Sequence, residues 1–165
     1  MTLSLLRHGI AEAAARSDYD RRLTPEGRRA LETLLDALLA AGWKPGIILH
    51  SPLLRTTETA ALVAARFPGI TVVPVDHIAY GVHDSIIDAC AGLDDPLVVG
   101  HEPTMGELAA ILLDCGGAPM PFERGSIAIF DVERLPLARP ARLLAFLSPR
   151  FARAPTRRPT LRPPR

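Results

Sequence analysis

Aromatic residues, cysteines and long apolar runs are all scarce in this sequence, and each shortage removes a class of protein. Phe, Trp and Tyr make up 5% of the chain, and in its basic C-terminal stretch none follows Phe151. That argues against the stacking contacts of a nucleic-acid-binding arm. The two cysteines, Cys90 and Cys115, show neither CxxC nor zinc-finger spacing. They read as small buried residues of predicted helices in a reducing compartment. No apolar run approaches the length of a membrane span. The N-terminus lacks a basic region followed by an apolar core, so no secretory signal is expected and the location reads as cytoplasmic.

What is present suits a single domain. The chain has 165 residues, of which 48% are hydrophobic, enough for a proper core. A formal net charge of +1 hides an asymmetry: residues 149–165 carry six arginines, five prolines and no acid, which leaves residues 1–148 at about −5. The domain is therefore expected over 1–148. The stretch 149–165 is expected to be a disordered or loosely docked extension, too rich in proline and too poor in apolar residues to fold alone. Contact of that arm with nucleic acid, anionic lipid or an acidic partner is the alternative.

Apolar runs and helix signals alternate along the chain. Thr2 to Leu6 reads as a buried strand. Thr24 is a candidate N-cap, with Pro25 at the first helical position, and Leu31, Leu34, Leu35, Leu38 and Leu39 recur at helical spacing up to Ala41. Gly46 to His50 is a second strand, and Ser51-Pro52 repeats the cap-plus-proline signature for a helix to about Phe67. Strands at Ile70 to Val75 and Pro96 to Val99 follow, with helices from His83 to Gly92 and from Thr104 to Cys115. Two more strands, Ser126 to Val132 and Arg142 to Leu147, close the domain. The alternation predicts an α/β sandwich with a mostly parallel sheet.

Three of these strands end in polar residues of one chemical type. The first delivers Arg7-His8-Gly9, and the second His50-Ser51-Pro52 with Arg55 one turn into the helix. The fourth delivers Gly100-His101-Glu102-Pro103. Parallel neighbours would bring two histidines and two arginines to one sheet edge beside helix N-termini, with Arg21 or Arg22 reaching in from the loop. Guanidinium forks and backbone N–H groups suit a phosphoryl oxyanion, and a histidine among them suits attack on phosphorus. Taken singly, His8 and His101 could be satisfied strand-end histidines, and Arg7 and Arg55 rim ion pairs. A metal on His8 and His101 would lack a third carboxylate or thiolate ligand and would sit among cations, so none is expected. His50, His77 and His83 read as structural or surface residues.

RHG after the first strand, RRLTPEG before the first helix, SPLLRTTET after the second strand and GHEP after the fourth together resemble the histidine phosphatase superfamily. The short spacing from RHG to LTPEG is most similar to its SixA-type phosphohistidine phosphatase branch. The resemblance implies a three-layer α/β/α sandwich without metal or organic cofactor. It implies His8 as the phosphoryl acceptor, Arg7 and Arg55 as the grip on the phosphoryl oxygens, and His101 as a further phosphate ligand. Arg21 matches a family arginine near the phosphate, whereas Arg22 stands where many relatives carry proline. Glu58 stands where glutamine is frequent. Larger members carry an acid after the third strand, but here Asp84 and His83 are the weak candidates in VDHIAYGVHDSII.

The implied activity is dephosphorylation of phosphohistidine on a protein such as a phosphotransfer domain. A phosphomonoesterase for sugar phosphates or other metabolites is the alternative, and a phosphate-binding pseudophosphatase module a further one. The implied partner is a phosphorylated protein or a small phosphorylated substrate, with no membrane. A monomer is the expectation for the oligomeric state.

Overall fold

A computed structural model describes residues 1–152. The strands are β1 (Thr2–Arg7), β2 (Ile47–His50), β3 (Thr71–Pro74), β4 (Pro96–Gly100), β5 (Ile127–Asp131) and β6 (Arg142–Leu147). The helices are α1 (Pro25–Ala40), α2 (Leu54–Ala64), α3 (Asp76–Tyr80), α4 (His83–Cys90), α5 (Thr104–Leu113) and α6 (Pro149–Ala152). One six-stranded sheet runs in the order β3-β2-β4-β1-β5-β6. β1 to β4 are mutually parallel, and β5 and β6 add an antiparallel edge.

Period-two alternation of the strands feeds two cores, one on each face of the sheet. Leu3, Leu5, Val98, Ala128 and Phe130 point to one face and pack with Ile78, Ile86, Met105 and Leu108 of α3, α4 and α5. Leu6, Ile48, Leu97, Val99 and Ile127 point to the other and pack with Leu31, Leu34 and Leu35 of α1 and with Ala60 and Val63 of α2. The architecture is therefore a three-layer α/β/α sandwich. β1 leads into α1 on one face while its neighbour β4 leads into α5 on the other. Adjacent parallel strands whose connections part in this way leave a crevice at their carboxyl ends, where ligands of such sheets bind. His8 and His101 are the residues that follow those two ends.

Helix signals held where they were purely local. Thr24 Oγ1 accepts the Gly27 N–H at 3.0 Å, and Pro25 opens α1. Gly27 lets α1 lie against the Ile10 backbone, since a Cβ there would collide with the Ile10 carbonyl. Two expectations need correction. Ser51 does not cap α2, which starts at Leu54. Cys115 is exposed and outside α5, because Asp114 turns into the left-handed region at φ 53° and ends the helix first. The terminal extension is docked at its root: α6 packs on α1, Pro149 is buried, and Arg150 pairs with Glu123 at 2.8 Å. The rest of that extension lies outside the described residues. No helix among the described residues is long and apolar enough to cross a membrane.

Candidate active site

The turn after β1 is fixed from three sides. The His8 N–H donates to the Gly100 carbonyl at 3.0 Å, and the Gly125 N–H donates to the carbonyls of Arg7 and His8 at 3.1 and 2.9 Å. A Cβ on Gly9 would lie 2.6 Å from Leu31 Cδ1, so a larger residue here would have to push the Leu31 side chain aside. His8 is buried, and its Nδ1 lies 2.7 Å from the Gly9 carbonyl. A carbonyl oxygen can only accept, so Nδ1 carries the ring proton and Nε2 keeps its lone pair. Burial first, then the neighbouring His101 ring and the charges of Arg55 and Arg7, push its pKa down to about 3, against the Gly9 hydrogen bond. His8 is neutral at physiological pH.

His101 faces it, with ring centroids 5.2 Å apart. Its Nε2 lies 2.8 Å from Ser51 Oγ, the residue after β2. Ser51 Oγ accepts the Leu53 N–H at 3.5 Å, which leaves the hydroxyl proton for His101 Nε2. The His101 proton is then on Nδ1, a buried atom with no hydrogen-bond partner among the described residues. Burial, then Arg55 and Arg7, lower the His101 pKa to about 4, with Asp18 opposing them.

The two strand-end arginines close the crevice. Arg55 is buried in the first turn of α2, where its Nη1 donates to the Asp18 carbonyl at 2.7 Å and its Nη2 to Asp18 Oδ2 at 3.0 Å. Arg7 donates through Nη1 to the Phe122 carbonyl at 2.5 Å. Both guanidinium Nε atoms are buried, without partners among the described residues. These two Nε donors and His101 Nδ1 are buried donors left to an incoming anion, costly without one and strong with it. Burial also lowers the Arg7 pKa, opposed by Glu102.

Of the two loop arginines, Arg21 stands at the rim, its Nη1 2.9 Å from Asp18 Oδ1 and its Nε donating to the Glu12 carbonyl at 2.6 Å. Arg22 turns toward Glu58 Oε1 at 3.9 Å. Glu58 fastens this loop, accepting from the Leu23 N–H at 2.7 Å and pairing with Arg28 at 2.6 Å. His50 is buried against its own turn, Nδ1 to the Ser51 carbonyl at 2.8 Å. His83 Nε2 lies 3.0 Å from Glu107 Oε2 on α5, without hydrogen-bond alignment, and Asp84 is exposed on α4. Among the described residues no three His, Cys, Asp or Glu side chains group as a metal site would require.

Sequence reasoning missed Asp18, Ser51 as the partner of His101, and Thr59. Thr59 Oγ1 donates to the Arg55 carbonyl at 2.7 Å and accepts the Gly9 N–H at 3.3 Å, tying the two turns together. The signal for Ser51 was present, since it directly follows a strand end, but it was read as a cap.

An α/β/α sandwich with a neutral histidine beside the half-buried Arg7 and the buried Arg55, at the point where the sheet connections diverge, is an arrangement suited to an oxyanion. The chain belongs to the histidine phosphatase superfamily. The model of branch 1 of that superfamily matches residues 3–81. The mitochondrial serine/threonine-protein phosphatase PGAM5 of Rattus norvegicus is 32% identical over 77 residues, covering 47% of this chain. The chain spans only 27% of the length of that relative. An uncharacterized protein of Picosynechococcus is 33% identical over 119 residues, covering 66% of this chain and 71% of its own.

Similar solved structures include the protein histidine phosphatase SixA complexed with tungstate, with a TM-score of 0.81 at 24% identity over 93% of this chain and all of that one. A proposed phosphohistidine phosphatase SixA of Agrobacterium tumefaciens gives 0.74 at 27% identity, covering 89% of this chain and 97% of its own. The alpha-ribazole phosphatase of Shigella flexneri gives 0.70 at 18% identity, over 90% and 97%.

Proposed function

We propose that the chain is a phosphatase that works through a phosphohistidine intermediate on His8, with phosphohistidine on a protein, such as a phosphotransfer domain, as its substrate. The observation that carries this reading is the paired state of His8. Its Nδ1 is committed to the Gly9 carbonyl and its pKa is pushed down to about 3, so Nε2 is an unprotonated nucleophile at neutral pH. The phosphoryl group would lie between Nε2 and the free donors of Arg7, Arg55 and His101, which hold the charge that spreads over the equatorial oxygens. Nε2 bonds to phosphorus as the bond to the leaving group breaks, and water then takes the phosphoryl group from His8.

Substrate choice follows from the acid. None of the nearby carboxyls is set to protonate a leaving group beside His8: Asp84 is exposed, Arg21 followed by Arg55 holds the Asp18 carboxyl below its ordinary range, and Glu102, whose carboxyl pKa is pushed up by burial against the pull of Arg7, is engaged by the Phe122 N–H at 3.3 Å. An alkoxide needs a proton to depart. An imidazole whose second nitrogen is already protonated does not, and histidine titrates near ~6.5. The similar SixA structures support the same substrate class.

The test is turnover of a phosphorylated phosphotransfer domain beside a phosphoserine protein and a sugar phosphate. His8→Ala should abolish turnover and an acid-labile, alkali-stable phosphoenzyme. Preference for the sugar phosphate would put a small-molecule phosphatase in its place, and label surviving in His8→Ala would remove the nucleophile assignment.

A further inference from the structure

Beside Arg7 opens a cleft of about 480 Å³ that the chemistry above does not use. Its walls include Phe122, Phe146, Ser148, Arg150 and Phe151 as well as Arg7 itself. The chain has five phenylalanines, and three of them stand here. Phe122 and Phe146 meet edge to face with centroids 5.1 Å apart, and Phe146 remains 41% exposed on the edge strand β6. Phe151 is 74% exposed, with the Arg150 guanidinium 4.8 Å over its ring. A concentration of open aromatic surface in an aromatic-poor chain is a feature of recognition sites rather than of cores.

One polar atom points to what the cleft receives. Ser148 is 6% exposed and lines the cleft, and its Oγ has no hydrogen-bond partner among the described residues. Arg7 Nε, the donor left for the phosphoryl group, is likewise buried and without a partner among the described residues. The cleft is also held close to the nucleophile. Gly125, whose N–H bonds the Arg7 and His8 carbonyls, packs against Pro149, with 3.1 Å from the position of a Gly125 Cβ to Pro149 Cγ. Ser148 is thus anchored next to the β1 turn, and Arg7 is the wall shared by the cleft and the crevice of His8.

We propose that this cleft is the leaving-group subsite, built for a planar heteroaromatic ring bonded to the phosphorus, with Ser148 Oγ as the acceptor for that ring's N–H. The assignment rests on the phosphatase reading above. In a phosphorylated imidazole, one nitrogen is bonded to phosphorus and the other binds a proton near neutral pH. Ser148 Oγ accepts from that N–H and so favours the protonated ring. As His8 Nε2 bonds to phosphorus, the electron pair of the P–N bond stays with the departing nitrogen. The ring then leaves as neutral imidazole, retaining the proton it already carried. No separate acid is consumed. The ring itself lies against Phe146 and Phe151.

The test compares kcat/KM for phosphoimidazole, which carries the ring, with phosphoramidate, which does not, in the unaltered protein, Ser148→Ala and Phe146→Ala. Ser148→Ala is nearly isosteric, and Phe146 is half-exposed, so both should fold. Each variant should lose roughly tenfold on phosphoimidazole, the scale of one hydrogen bond or one aromatic contact, and stay within about twofold on phosphoramidate. A phosphorylated phosphotransfer domain should follow phosphoimidazole if the ring comes from a protein. If it stays unchanged while phosphoimidazole falls, the cleft serves a free heteroaryl phosphate. Equal changes on ringed and ringless substrates, or no change on either, overturn the subsite alone. Failure of the unaltered protein on both substrates overturns the phosphatase reading with it.

Discussion

Asp18 Oδ2 lies 3.0 Å from Arg55 Nη2, and the Asp18 carbonyl takes Arg55 Nη1 at 2.7 Å, so one residue engages both terminal nitrogens of the Arg55 guanidinium. Its other carboxylate oxygen holds Arg21 at 2.9 Å. The carboxylate is the resident anion of the crevice, and under the proposed function an arriving phosphoryl group would have to displace it.

The displacement should be cheap. The Asp18 side chain is 59% exposed, and an ion pair with one exposed partner is worth at most about 1 kcal/mol. Asp18→Asn should therefore tighten competitive inhibition by inorganic phosphate by only a few-fold, measured on any turned-over substrate. Weaker inhibition in Asp18→Asn would show that the carboxylate braces the arginines for the anion and does not compete with it.

Arg55 should resist replacement by its charge equivalent. Its fork spans the Asp18 carbonyl and carboxylate, with a buried Nε still free, a geometry that a single ammonium cannot reproduce. Arg55→Lys should lower kcat on the order of 10²-fold, as loss of an oxyanion donor does, with a smaller change in KM. Steady-state kinetics on phosphoramidate would measure this, and an unchanged kcat would place Arg55 outside the transition state.

The strand ends were legible in the sequence because each buried run stops on a polar residue, and β1, β2 and β4 are parallel neighbours. That put Arg7, His8, Arg55 and His101 together. Ser51 was misread because a serine before a proline has the same local pattern whether it caps a helix or not. Its hydroxyl is spent instead on His101, fifty positions away. Asp18 had no motif around it, and its partner Arg55 is 37 positions distant. α3, with five residues, is too short to show a helical period. Nothing in Ile127–Asp131 distinguishes an antiparallel strand from a parallel one, since both faces of β5 are buried.

Burial of two neutral histidines sets an acid limit on stability. The folded pKa values of His8 and His101 are pushed down to about 3 and about 4, below the ordinary 6.5. Between those values and 6.5 the unfolded chain binds protons that the folded one does not. The stabilisation is therefore complete above about 6.5 and is lost as pH falls. Each imidazole should weaken the folding equilibrium by up to about tenfold per pH unit through that window. Denaturant unfolding at pH 7.5, 5.5 and 4.5 should show the slope, and His8→Asn should be less steep. An identical slope in His8→Asn would mean that the ring is not held neutral.

The chemistry of the leaving group should reveal whether an acid has been overlooked. General acid catalysis contributes ~10²–10⁴-fold, most where the leaving group is a strong base. Asp84 is exposed on α4 and His83 faces Glu107, so neither is held ready to deliver a proton beside His8. Aryl phosphates should therefore turn over much faster than alkyl phosphates, and Asp84→Asn and His83→Gln should each change kcat by no more than about twofold, against the hundredfold or greater loss that removing a true acid brings. Equal rates on aryl and alkyl phosphates, with a large loss in Asp84→Asn, would identify a working acid on α4. An enzyme so equipped could expel an alkoxide, and the argument from the leaving group to phosphohistidine would lose its physical basis.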